Sequence, residues 1–198
     1  MDYFGKLREL PFVFTHAQAM DAEVTDWQLY RWRDTGAVLE LSRGVFRRSD
    51  APATAHLDVL AAFLRAPRAV VCLLSALEIH ELTDEVTSVV QLAIPRDSAS
   101  PHITYPPVQV VRFARDTFEL GVEHIEVAPG EKVRVYDAAR SIVDVMRFRR
   151  RLGEPIVYAA LHAYLERRGS RPAKLGYYAQ ALNVAGPVHR ALEVALSK

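Results

Sequence analysis

The stretch from Phe14 to Arg48 reads FTHAQAMDAEVTDWQLYRWRDTGAVLELSRGVFRR and decides how the start of the chain is expected to fold. Thr15 and Thr25 each precede a segment with apolar residues at helical spacing. A threonine hydroxyl in that place can accept hydrogen bonds from the free N–H groups of a first helical turn. The stretch therefore predicts a helix, a tight turn and a second helix, which ends at Gly36.

Two short β-prone runs follow the second helix. They cover residues 37–41 and 45–48 and flank a glycine-bearing turn, which is typical of a hairpin. Helix, turn, helix and hairpin in this order are typical of a winged helix-turn-helix, which lays one helix in a groove of DNA and the hairpin beside it. We predict such a domain over residues 1–51.

Positive charge within this domain gathers on the second helix and the hairpin. Five arginines lie between residues 31 and 48 against two acidic residues, whereas the whole chain has 25 basic and 24 acidic residues and a formal charge of +1. Guanidinium groups suit guanine edges and phosphates, a glutamine can pair with adenine, and a partly exposed Trp27 or Tyr30 can pack on sugars. The pattern thus favours DNA binding.

Other interpretations of this domain stay open. Small winged domains also serve as protein-interaction modules, the rings of Trp27 and Tyr30 can belong to a core, and a few arginines on one face are often only a solvated surface. Residues 1–51 as a whole are not basic, which argues against tight non-specific binding to DNA.

Residues 52–198 are predicted to form a second, α+β domain. Apolar spacing predicts a helix from residue 53 to Pro67 and favours another over residues 70–80. Period-two runs then predict four mostly antiparallel strands: SVVQLAIP, VQVVRF, VEHIEV and KVRVY. From Asp137 the chain returns to a run of four helices. Strands followed by helices favour an α+β fold with a small sheet and a helical tail.

The helical tail contains the largest basic block of the chain. Residues 140–174 hold nine basic and three acidic side chains. A second nucleic-acid contact, a surface for an acidic protein partner and a plain solvated helix face are all compatible with this composition.

The sequence matches no established catalytic motif. The single cysteine, Cys72, lies in an apolar run and excludes an internal disulfide, and the seven histidines lack paired metal-ligand spacing. A nuclease motif of the Asp…Glu-x-Lys type is not matched, because Glu131 and Lys132 are adjacent. We predict no enzyme, no cofactor and no metal site. The charged N-terminus and the short apolar runs predict a cytoplasmic protein with no membrane partner.

Three segments resemble AbiEi-type antitoxins of type IV toxin–antitoxin systems. VTDWQLYRWRDTGAVLELSRGVF is similar to their winged domain, CLLSALEIHELTDEVTSVVQLAIPR to the segment after their linker, and VRVYDAARSIVDVMRFRRRLGEPIVYAALHAYLERR to the start of their helical C-terminal region. The similarity spans about residues 10–185, and its last block is the most specific. Glu81 departs from the family pattern, which has a glycine after the histidine that is His80 here.

The resemblance implies two activities. The winged domain would repress its own operon by binding double-stranded operator DNA, and the C-terminal domain would help to neutralise a cognate nucleotidyltransferase-like toxin. The DNA contacts would be Trp27, Gln28, Arg31, Arg33, Arg43, Arg47 and Arg48. The antitoxin domain would present Arg147, Arg149, Arg150 and Arg151. The alternatives are a protein-interaction module that no longer binds DNA and, less favoured, a winged-domain nuclease.

Overall fold

The computed structural model describes residues 5–196, and its first six elements form an N-terminal module. They are α1 (Gly5–Glu9), β1 (Val13–Thr15), α2 (His16–Asp21), α3 (Asp26–Asp34), β2 (Val38–Ser42) and β3 (Val45–Arg48). The two helices and the hairpin lie where the sequence predicts them. The strand β1 was not predicted; it pairs antiparallel with β3, so that the small sheet has the order β1-β3-β2.

Reciprocal capping explains why α2 and α3 begin where they do. The Thr15 hydroxyl accepts the N–H of Gln18 at 3.2 Å, and the Gln18 side chain accepts the N–H of Thr15 at 2.7 Å. Thr25 and Gln28 repeat this arrangement at 3.2 and 3.0 Å. Two otherwise free N–H groups are thereby paired at the start of each helix.

The strands β1 and β3 of the small sheet carry buried side chains on both faces. Phe14 and Phe46 stack at 5.8 Å on one face, where they join the fully buried Trp32 of α3. Because successive side chains of a strand point to opposite faces, Val13 and Val45 turn to the other face and pack into a core shared with the second half of the chain.

The second half of the chain contains a five-stranded sheet and seven helices within the described residues. Its elements are α4 (Leu57–Arg65), β4 (Val70–Val71), α5 (Leu73–Ile79), β5 (Val90–Pro95), β6 (Val108–Phe113), a 3₁₀ turn (Arg115–Thr117), β7 (Val122–Ala128), β8 (Glu131–Tyr136), α6 (Ala138–Arg147), α7 (Arg149–Leu152), α8 (Glu154–Glu166), α9 (Pro172–Ala181) and α10 (Ala185–Leu196).

The larger sheet is mixed, and the prediction of a mostly antiparallel sheet was wrong. Its order is β6-β5-β4-β8-β7, in which β4/β5 and β7/β8 pair antiparallel while β5/β6 and β4/β8 pair parallel. The reason is the connection over residues 96–107, which carries the chain back along the sheet before β6 starts. A connection of that length permits a parallel neighbour, which a tight turn cannot.

The predicted helix over residues 70–80 was wrong in its first part. Val70 and Val71 form the central strand β4, and α5 starts only at Leu73. A short apolar run is compatible with either element, and the choice depends here on neighbours far along the chain: Val71 pairs with Leu92 and Val135.

The helical tail also differs from the prediction in two places. Asp137 caps α6 as expected, since its carboxylate accepts the N–H of Arg140 at 2.9 Å. The helix nevertheless breaks at Phe148, whose ring stacks on Phe113 at 6.2 Å, and α7 follows as a separate turn. Gly186 and Pro187 lie inside the first turn of α10 rather than before it, where a proline is tolerated.

The larger sheet lies between two hydrophobic cores. One face carries Val70, Ala93 and Tyr136 and packs on α5, α6 and α8–α10. The other face carries Val71 and Leu92 and packs on α4 and on the small sheet. The two parts of the chain are therefore in direct contact, and the division at residue 51 stays a prediction. Between residues 5 and 196, no helix has the length and apolarity to cross a membrane.

Candidate nucleic-acid interface

The exposed face of α3 carries two aromatic rings and an arginine. Trp27, Tyr30, Arg31 and Asp34 follow the helical spacing i, i+3, i+4, i+7, and all four side chains are exposed, Trp27 to 68%. Leu29 and Trp32, which the sequence predicted to share a buried face, are fully buried on the opposite side. The helix thus presents one continuous outer surface.

The tip of the β2/β3 hairpin is held beside the start of α3 by His16. The backbone N–H of His16 donates to the carbonyl oxygen of Gly44 at 2.8 Å, and its imidazole Nε2 lies 2.6 Å from Oδ1 of Asp26, the first residue of α3. Gly44 has a φ of +72°, a left-handed conformation that glycine adopts without strain. Arg43 therefore stands at a turn next to the helix.

A second tie joins α3 to the hairpin through Arg33. Its Nη1 donates to Oε2 of Glu40 on β2 at 3.4 Å, and Oε1 of Glu40 accepts the N–H of Gly44 at 3.1 Å. The same guanidinium group lies 3.4 Å from the Asp34 carboxylate and 4.7 Å from the centre of the Tyr30 ring. Arg33 therefore orients the hairpin and the Tyr30 ring, and two carboxylates offset its charge.

Arg31 and Arg43 have guanidinium groups that are not used inside the chain. Both side chains are exposed, and neither guanidinium group forms a hydrogen bond or an ion pair with any residue between 5 and 196. A hydrated guanidinium group of this kind can donate to a phosphate or to a base edge without first breaking an internal contact.

Gln28, by contrast, is half-buried and already has a structural task. Its Oε1 is used in the capping box with Thr25, which leaves only the amide N–H groups for an external acceptor.

The last two predicted contacts, Arg47 and Arg48, hold the joint between the two parts of the chain. Nη2 of Arg47 donates to the carbonyl oxygens of Ala51 and Pro52 at 2.7 and 3.2 Å. Arg48 is 8% exposed and forms a two-point ion pair with Asp50 at 2.9 and 2.6 Å. The hydrogen bond from Arg48 lowers the pKa of Asp50.

Arg48 also contacts the segment over residues 8–12. Its Nη1 donates to the carbonyl oxygens of Leu10 and Arg8 at 3.0 and 3.2 Å, and its guanidinium group lies 5.0 Å from the centre of the Phe12 ring. These contacts occupy the donors of Arg48. Arg47 and Arg48 therefore serve as structural residues of the joint.

The four arginines predicted for the antitoxin surface gather around the break between α6 and α7. Arg147 and Arg151 place their guanidinium groups 5.7 and 5.5 Å from the centre of the Phe148 ring. Arg149 donates to the carbonyl oxygen of Met146 at 3.0 Å and lies 3.6 Å from Glu154. Arg147, Arg150 and Arg151 are exposed, so this surface is basic and open to solvent.

Arg140 belongs to the same basic block of the sequence but not to any surface. It is fully buried with Asp144, to which its Nε donates at 2.9 Å, and its Nη1 donates to the carbonyl oxygens of Leu120 and Thr117 at 2.7 and 3.0 Å. Burial raises the pKa of Asp144 to about 6 in spite of the adjacent guanidinium group. The basic block therefore overstates the charge that this region presents to a partner.

Two buried residues with chemically reactive side chains, Cys72 and His80, have shifted pKa values. Burial raises the pKa of the Cys72 thiol well above its ordinary value, which disfavours the thiolate. Nε2 of His80 lies 2.7 Å from the carbonyl oxygen of Tyr136, and burial lowers the pKa of His80. Across residues 5–196, no group of three or more His, Cys, Asp or Glu side chains is placed to hold a metal ion.

Comparison with known proteins relates the chain to a solved structure. No protein-family model matches the chain. No curated protein is similar to it in sequence. The crystal structure of the RV2827C protein from Mycobacterium tuberculosis matches with a TM-score of 0.67 and 13% sequence identity, over 98% of this chain and 75% of that one. At that identity the likeness shows a shared α+β fold alone.

Proposed function

We propose that the N-terminal module is a winged helix-turn-helix that binds double-stranded operator DNA. The observation that carries this proposal is the outer face of α3, where Trp27, Tyr30 and Arg31 lie together beside a hairpin whose tip presents Arg43. A helix of this length fits the major groove, and a hairpin held next to it reaches the neighbouring backbone.

The contacts divide between reading bases and holding the backbone. Arg31 projects from the middle of the helix face and suits a bidentate contact with a guanine edge. Arg43 stands on the hairpin tip and suits a phosphate, which positions the protein without reading sequence. Arg33 and His16 act as positioning residues, because their own contacts keep the helix and the hairpin together.

The wider proposal is that the chain is an autorepressor and an antitoxin of the AbiEi type. Its support is the sequence resemblance, which is most specific in residues 133–168, together with the exposed basic side chains of Arg147, Arg150 and Arg151 around the break between α6 and α7. These side chains suit an acidic surface of a nucleotidyltransferase-like toxin.

Gel-shift titrations with DNA from upstream of the protein's own gene test the DNA-binding proposal. Arg31→Ala is expected to weaken specific binding by about 1–3 kcal/mol while it changes binding to unrelated DNA less. Arg43→Ala is expected to weaken binding to all sequences alike. It is also expected to reduce the slope of the logarithm of the binding constant against the logarithm of salt concentration by about one.

The control for these variants is Arg168→Ala, which removes an exposed arginine far along the chain from the interface. It is expected to leave the titrations unchanged. Absence of any retardation by the unmodified protein at low salt, where phosphate contacts are strongest, would overturn the proposal. Equal losses on all DNAs from both variants would refute the division between base and backbone contacts.

A second candidate function is a protein-interaction module. Asp26 and Asp34 flank the face of α3, and Leu39 on the hairpin is 59% exposed, so the surface also carries acidic and apolar groups that suit a protein partner. This candidate predicts that Trp27→Ala abolishes toxin neutralisation on co-expression while the unmodified protein retards no DNA. A winged-domain nuclease, in contrast, predicts metal-dependent cleavage of the DNA in the same incubations.

A further inference from the structure

Four arginines from three separate parts of the chain line one cleft of its second half. The cleft has a volume of about 830 Å³ and lies between the end of α4, the start of β4, the loop after β5 and the 3₁₀ turn. Its arginines are Arg65, Arg68, Arg115 and Arg134. They are up to 69 positions apart in the sequence, so no local pattern predicts that they meet.

Two of these arginines are free to bind a ligand. Arg65 and Arg68 are exposed, and their guanidinium groups form no hydrogen bond or ion pair within residues 5–196. Like charges that line one cleft raise its positive potential, and an anion that enters the cleft relieves their mutual repulsion.

The other two arginines are each held by a carboxylate. Arg134 pairs with Glu119 and donates from Nη1 to the carbonyl oxygen of Arg68 at 2.9 Å, and Arg115 pairs with Asp97. Counted together with these two carboxylates, of which only Glu119 lines the cleft, the four guanidinium groups give a net charge of +2. The Arg134 contact also fixes the backbone of the segment that carries Arg68.

The loop that forms one wall of the cleft is fixed from behind. Arg112 donates from Nη1 to the carbonyl oxygens of Arg96 and Ser98 at 2.9 and 2.7 Å, and from Nη2 to the Ser100 hydroxyl at 2.9 Å. A wall that is already ordered has little conformational entropy left to lose when a ligand binds.

The inner part of the cleft is apolar. Ile94 and Phe118 line it and are 5% and 4% exposed. Apolar walls next to the arginines lower the local dielectric and strengthen the attraction of the guanidinium groups for an anion.

We propose that this cleft binds a small ligand through a phosphomonoester or diphosphate group. Guanidinium groups pair with phosphate oxygens in a bidentate manner, and a net charge of +2 matches the two negative charges of a phosphomonoester. The volume is that of a small-molecule site. A long polyanion such as DNA fits less well, because the exposed carboxylate of Glu119 lines the cleft and repels it.

Isothermal titration calorimetry with sodium pyrophosphate, and separately with orthophosphate, tests this site at constant ionic strength. The full chain is expected to bind at least one of the two saturably, and the double variant Arg65→Gln/Arg68→Gln is expected to bind about tenfold more weakly or worse. Arg168→Gln is the matched control and is expected to bind as the unmodified protein does. Equal thermal unfolding midpoints of the three proteins exclude a folding defect.

Three results would overturn the proposal. The first is that neither phosphate compound gives a saturable binding signal larger than that of sodium chloride at equal ionic strength. The second is that the unmodified protein and the double variant bind equally well. The third is that neither phosphate compound binds, while the double variant loses DNA retardation. The last result would assign the arginines to the DNA backbone. The inference does not depend on the proposed DNA-binding face, because Arg31→Ala and Arg43→Ala test that face on their own.

Discussion

Arg31 and Arg140 are both helical arginines in basic stretches of the sequence, yet their environments are opposite. Arg31 is exposed on α3, and its guanidinium group has no internal partner among the described residues. Arg140 is fully buried on α6, and its guanidinium group is paired with Asp144. An exposed guanidinium group remains available to an external anion, while a buried one must be satisfied by the protein itself. The number of arginines in a stretch therefore does not measure the charge that a surface presents.

Removal of Asp144 from the buried Arg140–Asp144 pair is expected to give the largest effect on stability. Asp144→Ala leaves the Arg140 guanidinium group buried without its carboxylate, which is expected to lower the free energy of unfolding by about 3–5 kcal/mol. Chemical denaturation at neutral pH measures the loss. Asp84→Ala removes an exposed carboxylate and is the control. A loss below about 1 kcal/mol for Asp144→Ala would contradict the view that the buried Arg140 guanidinium group depends on the Asp144 carboxylate.

The pH dependence of stability sharpens the same contrast. The pKa of Asp144 is raised to about 6 in the folded chain from an ordinary value near 4, so the folded state holds this proton more tightly than the unfolded state does. The stabilisation is therefore fully present below about pH 4 and is lost as the pH rises through 6. Relative to Asp144→Asn, the unmodified protein is expected to lose on the order of 2–3 kcal/mol between pH 4 and pH 7.

Urea denaturation of both proteins across this pH range measures the difference. Titrations of all other groups are common to the two proteins and cancel in the comparison. Parallel stability profiles would mean that burial does not perturb Asp144.

Arg48 and Arg31 provide a smaller, paired test within the N-terminal module. Arg48→Gln removes donors to Leu10, Arg8 and Asp50, and is expected to lower the free energy of unfolding by about 1–2 kcal/mol. Arg31→Gln is expected to change it by less than about 0.5 kcal/mol, because the side chain is exposed. Thermal or chemical denaturation checks both values, and an equal loss from both variants would contradict the assignment of Arg48 to the joint.

The elements that the sequence predicted well depend on short-range signals. The α2 and α3 starts follow from capping residues three positions apart, and the hairpin follows from a glycine-bearing turn between β-prone runs. The strands β5 to β8 follow from period-two alternation. The strand β4 was missed because two valines give no periodicity, and the break at Phe148 was missed because its ring contacts Phe113, which lies 35 positions earlier.

The candidate interface could be predicted in part. Trp27, Arg31 and Arg43 are exposed where the helix and hairpin patterns place them, whereas Arg47 and Arg48 are occupied by carbonyl groups and a carboxylate. The arginine cleft had no sequence signal, since its members come from three separate parts of the chain: the end of α4 with the segment after it, the 3₁₀ turn and β8.

The sequence by itself determined most of the helices and strands of this chain, because capping, turn formation and alternation act between residues a few positions apart. Only the tertiary structure decided that the larger sheet is mixed, that Arg48 and Arg140 are buried and that four arginines share a cleft. Those outcomes depend on which distant segments pack together, and the free energy of burying or exposing a guanidinium group is set by those neighbours rather than by the residues beside it in the chain.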